Sequence, residues 1–145
     1  MTVRTRDFEA GDTEAVIALW EASGLTRPWN DPRADISRCL ETETSFLLIA
    51  EAEAVPGSRT IVGTVMAGYE GHRGWMYYLA SDPKLRGKGV GRALVAEAER
   101  RFEVAGCPKA MLMVRGGNEA AIGFYEKLGY IKEDVLVLGR RLIED

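Results

Sequence analysis

The sequence predicts a mixed α/β or α+β fold with the element order β-α-α-β-β-β-α-β-α-β-β. Segments with apolar residues at helical spacing are interspersed with shorter apolar or alternating segments that are typical of strands. The 145 residues contain no proline-rich or serine-rich linker, no block of like charge and no internal repeat. We therefore expect a single domain over residues 1–145, large enough to enclose one core and one site.

The first part of the chain predicts a strand followed by two helices. Thr2 to Arg6 alternates as a short strand does. Asp12 is an expected N-cap for a helix over Thr13 to Ser23, whose apolar residues fall on one face. Asp31 followed by Pro32 is the start signal of a second helix, which we expect to end near Glu43.

The middle of the chain predicts three consecutive strands and then a long helix. Ser45 to Glu51 contains an unbroken apolar run, as in a strand buried on both faces. Thr60 to Tyr69 and Gly74 to Ser81 follow, with a turn between them. From about Gly89 to Ala105, large apolar residues recur every four positions, which indicates a helix packed on one side.

The last part predicts a strand, a helix and more strand. Ala110 to Val114 is a short apolar run, and Asn118 to Leu128 has the spacing and the terminal glycine of a helix. Tyr130 to Ile143 is expected to form two further strands or one long bent strand. Exposed strand edges near this end of the chain would make a homodimer plausible.

Composition excludes several classes of protein. Lys and Arg number 19 and Asp and Glu 22, a net charge of −3, which disfavours a broad nucleic-acid-binding surface. The longest apolar runs, such as Phe46 to Ala50, are far shorter than the roughly 18 residues of a membrane span. Cys39 and Cys107 lack the partners of a disulfide framework or a metal site, so we expect reduced thiols in a cytoplasmic protein without a metal.

A glycine-rich basic loop lies between a predicted strand and the amino terminus of the long helix. Glycine allows close approach of an anion, and the first N–H groups of a helix have no helical acceptor. The loop therefore suits a pyrophosphate, although it could also be a plain turn with solvated basic residues. It lacks the Gly-Lys-Ser/Thr ending of a Walker A loop and the third glycine of a dinucleotide fingerprint. Its residues are Arg86, Gly87, Lys88, Gly89, Val90, Gly91 and Arg92.

Two motifs in this order resemble those of the GNAT superfamily, the Gcn5-related N-acetyltransferases. The first is Arg86-x-x-Gly89-x-Gly91 preceded by the strand ending at Pro83, which is similar to the family's acyl-CoA-binding motif. The second is Asn118 followed by Phe124 to Tyr130, which is similar to the family's later helix motif. At finer grain the segments 27–32, 71–74 and 138–142 resemble those of the small bacterial YpeA-type subgroup. The resemblance implies a mostly antiparallel central sheet with helices on both faces.

The resemblance also implies how acetyl-CoA would be held. The N–H groups of the loop from Arg86 to Arg92 would bind the pyrophosphate, and the strand edge formed by Leu79, Ala80 and Ser81 would pair with the pantetheine arm. The Leu79 N–H would face the thioester oxygen and stabilise the charge that develops there. Family proteins usually carry valine where Ser81 stands, a change of little consequence for a backbone contact.

Tyr125 matches the residue that would act as general acid toward the departing thiolate. Its reference pKa of about 10 keeps it protonated at neutral pH, so that it can donate to a thiolate. The alternative is an aromatic side chain that packs the helix against the sheet. Asn118 would be the N-cap of this helix, a hydrogen-bond partner of the pantetheine arm, or both.

The sequence departs from the family at the base that would deprotonate the amine. Met113 stands where some members have glutamate, so another carboxylate, Glu51 or Glu70, or a chain of waters would have to serve. His72 is the only histidine, but seven residues of strand would place it roughly 23 Å from Leu79. We therefore expect a structural or solvent-facing histidine.

The family usually builds its acceptor pocket from the segment between the first two helices. Arg27, Trp29 and Asn30 in that segment could hold a carboxylate and an apolar group, as in a small amino-acid-like amine. Equally, Trp29 could be a core anchor and Arg27 could pair with a nearby acid. Arg115 is another candidate for binding an anion.

These expectations together predict an acetyl-CoA-dependent N-acetyltransferase that transfers the acetyl group directly to a primary amine in a ternary complex. The acceptor would be a small-molecule or peptide amine, with no nucleic acid and no membrane as partner. Because the glutamate that some family members carry is missing, a non-catalytic acyl-CoA-binding module or sensor is the alternative. A nucleotide-binding kinase or dehydrogenase is the third and weakest interpretation of the glycine-rich loop.

Overall fold

The computed structural model describes every residue from Met1 to Asp145. Five strands and four helices follow one another, with a short 3-10 turn before the first helix and another after the fourth strand. In chain order the strands and helices are β1 (Thr2–Asp7), α1 (Thr13–Ala22), α2 (Pro32–Glu41), β2 (Ser45–Val55), β3 (Ser58–Tyr69), β4 (Gly74–Ser81), α3 (Val90–Val104), β5 (Ala110–Leu112) and α4 (Glu119–Lys127).

The strands form one open sheet in the order β1-β2-β3-β4-β5. All neighbours are antiparallel except β4 and β5, which run parallel. Antiparallel neighbours can be joined by short connections, whereas the parallel pair needs a crossover, and α3 supplies it. The predicted fold class, with a mostly antiparallel sheet, is confirmed.

Helices cover both faces of the sheet. Buried residues of α3, from Val90 to Phe102, pack with β2 and β3 side chains such as Leu48 and Val65 on one face. Buried residues of α1 and α2, among them Trp20, pack with Leu47 on the other. The alternation of side chains along each strand therefore supplies two cores, one on each side of the sheet.

The N-cap predicted for α2 is confirmed, whereas the N-cap predicted for α1 is wrong. Asp31 caps α2 as predicted, and its side chain accepts hydrogen bonds from the N–H groups of Arg33 and Ala34. Asp12 does not cap α1 with its side chain. A 3-10 turn precedes the helix, and the Asp12 carboxylate instead accepts from the Glu9 N–H at 2.8 Å and from the Arg6 guanidinium at 2.7 Å.

The strands predicted after α4 are not formed. Residues 130–145 belong to no strand, and no backbone–backbone hydrogen bond joins residues 131–145 to the rest of the chain. Their alternation of apolar side chains favours an extended conformation, but a strand also needs a partner edge, and none pairs with this segment. The predicted element order is therefore wrong in its last two strands, and β5 ends at Leu112 rather than at Val114.

No helix in the structure has both the length and the apolar character that crossing a membrane requires.

Candidate functional site

The glycine-rich loop connects β4 to α3 through the 3-10 turn at Pro83–Leu85. Asp82 starts this turn, with its side chain accepting from the Lys84 N–H, and Lys88 closes the next turn by donating to the Leu85 carbonyl. Gly87 and Gly89 have φ values of 80° and 83°, a region that residues with a side chain rarely adopt. Glycine at these two positions is therefore required by the path of the loop.

The start of α3 presents unpaired donors and positive charge. The N–H groups of Gly89, Val90, Gly91 and Arg92 donate to no acceptor within the protein. The first intrahelical bond is donated by Ala93. Three exposed or half-exposed cations lie on the same loop, and none has a carboxylate within 4.0 Å: Arg86, Lys88 and Arg92. This arrangement suits a phosphate-bearing anion.

β4 and β5 separate part-way along their length. Their parallel pairing covers only Gly74 to Met76 of β4, opposite Ala110 to Leu112 of β5. From Tyr77 to Ser81, β4 has no partner strand on the side that β5 occupied. An open strand edge therefore leads directly to the glycine-rich loop, as a ligand that pairs with the backbone would need.

A β-bulge interrupts β4 at the middle of this open edge. Thr64 of β3 pairs with Ala80, whereas Met66 pairs with Tyr77, so β4 carries one extra residue between them. Tyr78 has a φ of 51° and is the only non-glycine residue with a positive φ. A tyrosine in this conformation is strained, so the surrounding contacts must hold it there.

Thr64 fixes the peptide that joins Tyr78 to Leu79. Its fully buried hydroxyl donates to the Tyr78 carbonyl oxygen at 2.8 Å and accepts from the Trp20 indole N–H at 2.8 Å. Because the peptide is trans, its N–H points opposite to its carbonyl. The Leu79 N–H therefore points away from Thr64, toward the side of β4 that β5 has left open.

Contacts of its own side chain also hold Tyr78 in place. Its ring stacks on Trp20 with centroids 3.8 Å apart and planes within 11°. Its hydroxyl donates to an Asp35 carboxylate oxygen at 2.6 Å and accepts from the Asn30 amide at 2.8 Å. Burial and the Asp35 carboxylate together raise the pKa of Tyr78 well above its ordinary value, which keeps this hydroxyl a donor.

A cavity of about 410 Å³ lies between α2 and the sheet, next to the bulge. Tyr77 and Tyr78 of β4 and Met66 of β3 line its sheet side, and Asp35 and Arg38 line its helix side. Its size is within the range of small-molecule sites. The remaining lining residues are Cys39, Thr42, Ser45, Ala67 and Gly68.

Tyr125 lies on α4, which packs against the start of α3. A Cβ atom at Gly91 would lie 3.0 Å from the Phe124 ring, so this glycine allows the close approach of the two helices. The Tyr125 ring contacts Phe124 and Tyr130 edge-on, and its hydroxyl has no hydrogen-bond partner in the protein. Burial raises the pKa of Tyr125 to about 12.

The other predicted cofactor residues lie around the same opening. Leu79 is half-buried and packs on the α3 side of the sheet, Ala80 is buried on the α1 side, and Ser81 ends β4. Asn118 caps α4 through its side-chain oxygen, which accepts from the Ala121 N–H at 3.2 Å. Arg115 is exposed on the loop between β5 and α4.

The candidate bases are placed apart from the bulge. Glu51 is on β2 and pairs with Arg6 at 3.1 Å, so its charge is already matched. Glu70 and His72 lie in the exposed turn before β4, where the N–H groups of His72 and Arg73 lower the pKa of the Glu70 carboxyl. Met113, 49% exposed, follows the end of β5.

The three predicted acceptor residues have different environments. Arg27 donates to the carbonyl oxygens of Gly24 and Thr26 in its own loop, at 2.8 Å each. Trp29 is 57% exposed and is not a core anchor. Asn30 contacts Asp35 and Tyr78, which places it at the edge of the cavity.

Sequence reasoning missed the residues that shape the bulge and the cavity. Thr64 and Tyr78 have the pattern of ordinary strand residues, and only the structure shows the extra residue that β4 carries between Tyr77 and Ala80. Asp35 and Arg38 have the spacing of neighbours on one helical face, which in sequence resembles a solvated ion pair. No group of three or more His, Cys, Asp or Glu side chains is arranged to hold a metal ion.

Comparison with known proteins shows similarity over nearly the whole chain. Residues 14–130 match the Acetyltransferase (GNAT) family. A protein named acetyltransferase from Pectobacterium atrosepticum is 50% identical over 140 residues, which cover 97% of this chain and 96% of that protein. An uncharacterized N-acetyltransferase from Yersinia pestis is 49% identical over the same length and coverage.

Solved structures share the fold at lower sequence identity. The aminoglycoside N-acetyltransferase AAC(6')-Iy, solved with CoA, has a TM-score of 0.78 at 17% identity, over 97% of this chain and 95% of that one. The glucosamine-6-phosphate N-acetyltransferase of Arabidopsis thaliana has a TM-score of 0.74 at 21% identity, over 97% and 99%. At these identities the likeness bears on the fold alone.

Proposed function

The chain belongs to the GNAT family of acetyltransferases, and from this premise we propose that it is an acetyl-CoA-dependent N-acetyltransferase acting by direct transfer to a primary amine. In this proposal one domain over residues 1–145 holds both substrates in a ternary complex. Acetyl-CoA supplies an activated acetyl thioester. The observation that carries the proposal is the bulge at Tyr78, which aims the Leu79 N–H at the open edge beside an unpaired anion-binding loop.

The loop is the proposed binding site of the CoA pyrophosphate. The free N–H groups from Gly89 to Arg92 would donate to phosphate oxygens, and the loop cations add charge of the right sign. The open edge of β4 from Leu79 to Ser81 would pair with amide groups of the pantetheine arm. The Asn118 side-chain amide nitrogen would also donate to the pantetheine arm, because the cap to Ala121 uses only the side-chain oxygen.

Leu79 is the proposed electrophilic residue. Its N–H would donate to the thioester oxygen, and this bond strengthens as negative charge develops there during attack by the amine. The bonds from Thr64 and the stacking by Trp20 fix the donor before substrate arrives. A fixed donor needs no reorganisation during the reaction, which is the source of its catalytic effect.

Tyr125 is the proposed general acid. As the bond from the acetyl carbon to nitrogen forms and the bond to sulfur breaks, its hydroxyl would give a proton to the departing thiolate. A pKa of about 12 keeps this proton in place at neutral pH, and no protein group competes for the hydroxyl. Packing against Phe124 and Tyr130 is compatible with this role and also restricts the ring.

The cavity beside α2 is the proposed acceptor site. Its tyrosine and methionine side chains favour an amine attached to an apolar or aromatic group. The Asp35 carboxylate, which also pairs with Arg38 at 3.5 Å, would accept a hydrogen bond from the ammonium form on arrival. Asn30 contributes to this wall through its bonds to Asp35 and Tyr78, while Arg27 and Trp29 stay candidates for the rim. Asp35 or a water molecule is the remaining candidate for the base that deprotonates the amine, since Glu51, Glu70 and His72 lie apart from the cavity.

A non-catalytic acyl-CoA-binding module is the second candidate. The observation that favours it is Met113 at the place where some family members have glutamate, together with an Asp35 carboxylate already bonded to Asn30 and Tyr78. Such a module would bind acetyl-CoA without releasing thiol to any amine.

Two assays separate the candidates. Titration calorimetry should show acetyl-CoA binding for either candidate, whereas no binding overturns both. Thiol release from acetyl-CoA over a panel of free and peptide amines should then exceed the rate without amine for at least one acceptor. Release with no member of a broad panel would support the binding module instead.

A further inference from the structure

The cavity between α2 and the sheet carries two side chains of opposite charge. Of the residues that line it, only Asp35 and Arg38 are charged. They lie three positions apart on α2 and therefore share one face of the helix, where Arg38 Nη1 is 3.5 Å from Asp35 Oδ1. The charges of the lining balance, so a ligand that carries both charges complements the cavity better than a polycation or a polyanion does.

Arg38 has hydrogen-bonding capacity to spare. A guanidinium group has five N–H donors. The half-exposed Arg38 side chain uses one of them, from Nη2 to the Asp145 carboxylate at 2.9 Å, and its contact with Asp35 is longer than a usual hydrogen bond. The guanidinium can therefore bind a further carboxylate in the two-bond geometry that arginine favours, and it does not have to release Asp145.

Asp35 has one free carboxylate oxygen, and it is the oxygen beside Arg38. Oδ2 accepts from the Asn30 amide at 2.7 Å and from the Tyr78 hydroxyl at 2.6 Å, whereas Oδ1 accepts no hydrogen bond. In an α-amino acid, the amine nitrogen and the carboxylate carbon are about 2.5 Å apart. An ammonium group on Oδ1 and a carboxylate on the guanidinium can consequently belong to one small molecule.

The uncharged part of the cavity suits the side chain of such a molecule. Tyr77, Tyr78 and Met66 form an apolar wall on the sheet side. Gly68 and Ser45 are the small residues of the lining, and a Cβ atom at Gly68 would lie 2.9 Å from Ser45 Oγ. The volume of about 410 Å³ is toward the lower end of the range for small-molecule sites. A free amino acid with an apolar or aromatic side chain fits these features.

Arg38, and not Arg27, is placed to bind this carboxylate. The sequence favoured Arg27 for the role, but its guanidinium donates to the carbonyl oxygens of Gly24 and Thr26, and it is not among the residues that line the cavity. Arg38 lines the cavity next to Asp35. The specificity for a carboxylate therefore lies on α2 and not on the loop before it.

We propose that the acceptor is a free α-amino acid with an apolar or aromatic side chain, whose carboxylate is bound by Arg38. This inference rests on the proposed function, because it names the amine that the same site acetylates. A peptide amino terminus is excluded as the preferred acceptor, since an amide stands where Arg38 binds a carboxylate. The reaction consumes the ammonium form of the amino acid and acetyl-CoA, and it yields the N-acetyl amino acid, CoA as the thiol and one proton.

A matched pair of acceptors tests the carboxylate contact. Phenylalanine and phenylalaninamide differ only in this group, and we expect the wild-type KM for phenylalanine to be at least about tenfold lower. Arg38→Gln should raise the KM for phenylalanine at least about tenfold and leave that for phenylalaninamide within about twofold. Comparing the two proteins removes the difference in amine pKa between the acceptors.

Arg33→Gln is the control variant, because Arg33 is also on α2 but pairs with Glu14 and does not line the cavity. It should preserve the preference for phenylalanine. Equal KM values of the two acceptors for the wild-type protein overturn the proposal. An equal rise of both KM values in Arg38→Gln also overturns it, because Arg38 would then act on the cavity as a whole.

Failure of the proposed function has a different signature. Acetylation of phenylalaninamide as efficient as that of phenylalanine overturns the amino-acid proposal and leaves the transferase. If neither acceptor nor any other amine is acetylated, the transferase proposal fails, and binding then tests the Arg38 contact. With CoA present, calorimetry should show N-acetylphenylalanine binding at least about tenfold more tightly than its amide to the wild-type protein, but not to Arg38→Gln. Equal Kd values for the wild-type protein overturn the proposal.

Discussion

The Thr64 hydroxyl donates to the Tyr78 carbonyl oxygen at 2.8 Å, and this single bond sets the direction of the Leu79 N–H. Tyr78 is at the bulge, where the ladder between β3 and β4 no longer fixes the peptide. The bond from the Trp20 indole to the same hydroxyl makes Thr64 both acceptor and donor, so its orientation is determined. We infer that Thr64 is a positioning residue for the acyl site.

Removing the Thr64 hydroxyl should therefore affect turnover more than cofactor binding. Thr64→Val keeps the shape of the side chain but frees the peptide, and we expect kcat to fall about tenfold or more with little change in the acetyl-CoA Kd. Thr64→Ser should restore most of the rate. Because the substitution also leaves two buried groups unpaired, unfolding should be checked, with a loss of about 1–3 kcal/mol expected. An unchanged kcat in folded Thr64→Val contradicts the role.

Tyr125→Phe tests the general acid. The variant keeps the ring contacts with Phe124 and Tyr130, so stability should change little, while kcat should fall about a hundredfold. Since burial raises the pKa of Tyr125 to about 12, its proton should remain bound up to about pH 11. In the pH–rate profile of the wild-type protein, deprotonation of Tyr125 should accordingly cause no loss of activity below about pH 10. Full activity of the variant would assign Tyr125 to packing alone.

The loop cations should contribute to acetyl-CoA binding through charge. Lys88→Ala is expected to raise the acetyl-CoA Kd about fivefold at low ionic strength and less at high salt, because the contact is exposed and screened. Lys84→Ala is the matched control, since Lys84 is exposed in the preceding 3-10 turn and has no place in the proposed site. Equal effects of the two substitutions would mean that charge is not localised at the helix start.

Asp35 should determine affinity for the acceptor. Asp35→Asn retains an oxygen that can accept from Tyr78 but removes the negative charge beside the cavity. We expect the acceptor KM to rise at least about tenfold while the acetyl-CoA Kd is unchanged. Arg33→Gln, at a position on the same helix whose side chain pairs with Glu14, is the control. A rise in the acetyl-CoA Kd instead of the acceptor KM would contradict the assignment of the acceptor site to this cavity.

The Arg6–Asp12 pair should make stability depend on pH. The Arg6 guanidinium, which makes two hydrogen bonds to Asp12, lowers the pKa of that carboxyl below its ordinary value of about 3.9. A group with a lowered folded-state pKa stabilises the fold above the unfolded pKa and loses this effect as pH falls through the folded pKa. Urea unfolding should therefore show Asp12→Asn destabilised by about 1–3 kcal/mol at pH 7, with a difference from wild type that shrinks as the pH falls below about 3.9. A difference independent of pH contradicts this.

The sequence predicted what depends on local signals. The Asp31 cap, the recurrence of apolar residues in α3 and the glycines of the loop all act within one element, and the structure has them as expected. The motifs at Arg86 to Gly91 and at Asn118 to Tyr130 are also local, and the family that they indicate is the one to which the chain belongs.

Features that depend on contacts across the sheet could not be predicted. The bulge at Tyr78 exists because Thr64, Trp20 and Asp35, all distant in sequence, hold a strained backbone. The run from Val135 to Leu142 has the composition of a strand but no partner edge, so local pattern alone gave the wrong element there. A cytoplasmic location stays a prediction, because nothing in the structure tests it.

A crystal structure with bound acetyl-CoA tests the central claim most directly, through the distance from the Leu79 nitrogen to the thioester oxygen. We predict a hydrogen bond of about 2.9 Å, with the pyrophosphate against the N–H groups from Gly89 to Arg92. A thioester oxygen turned away from Leu79, or a cofactor bound outside the opening between β4 and β5, would contradict the assignment of this site.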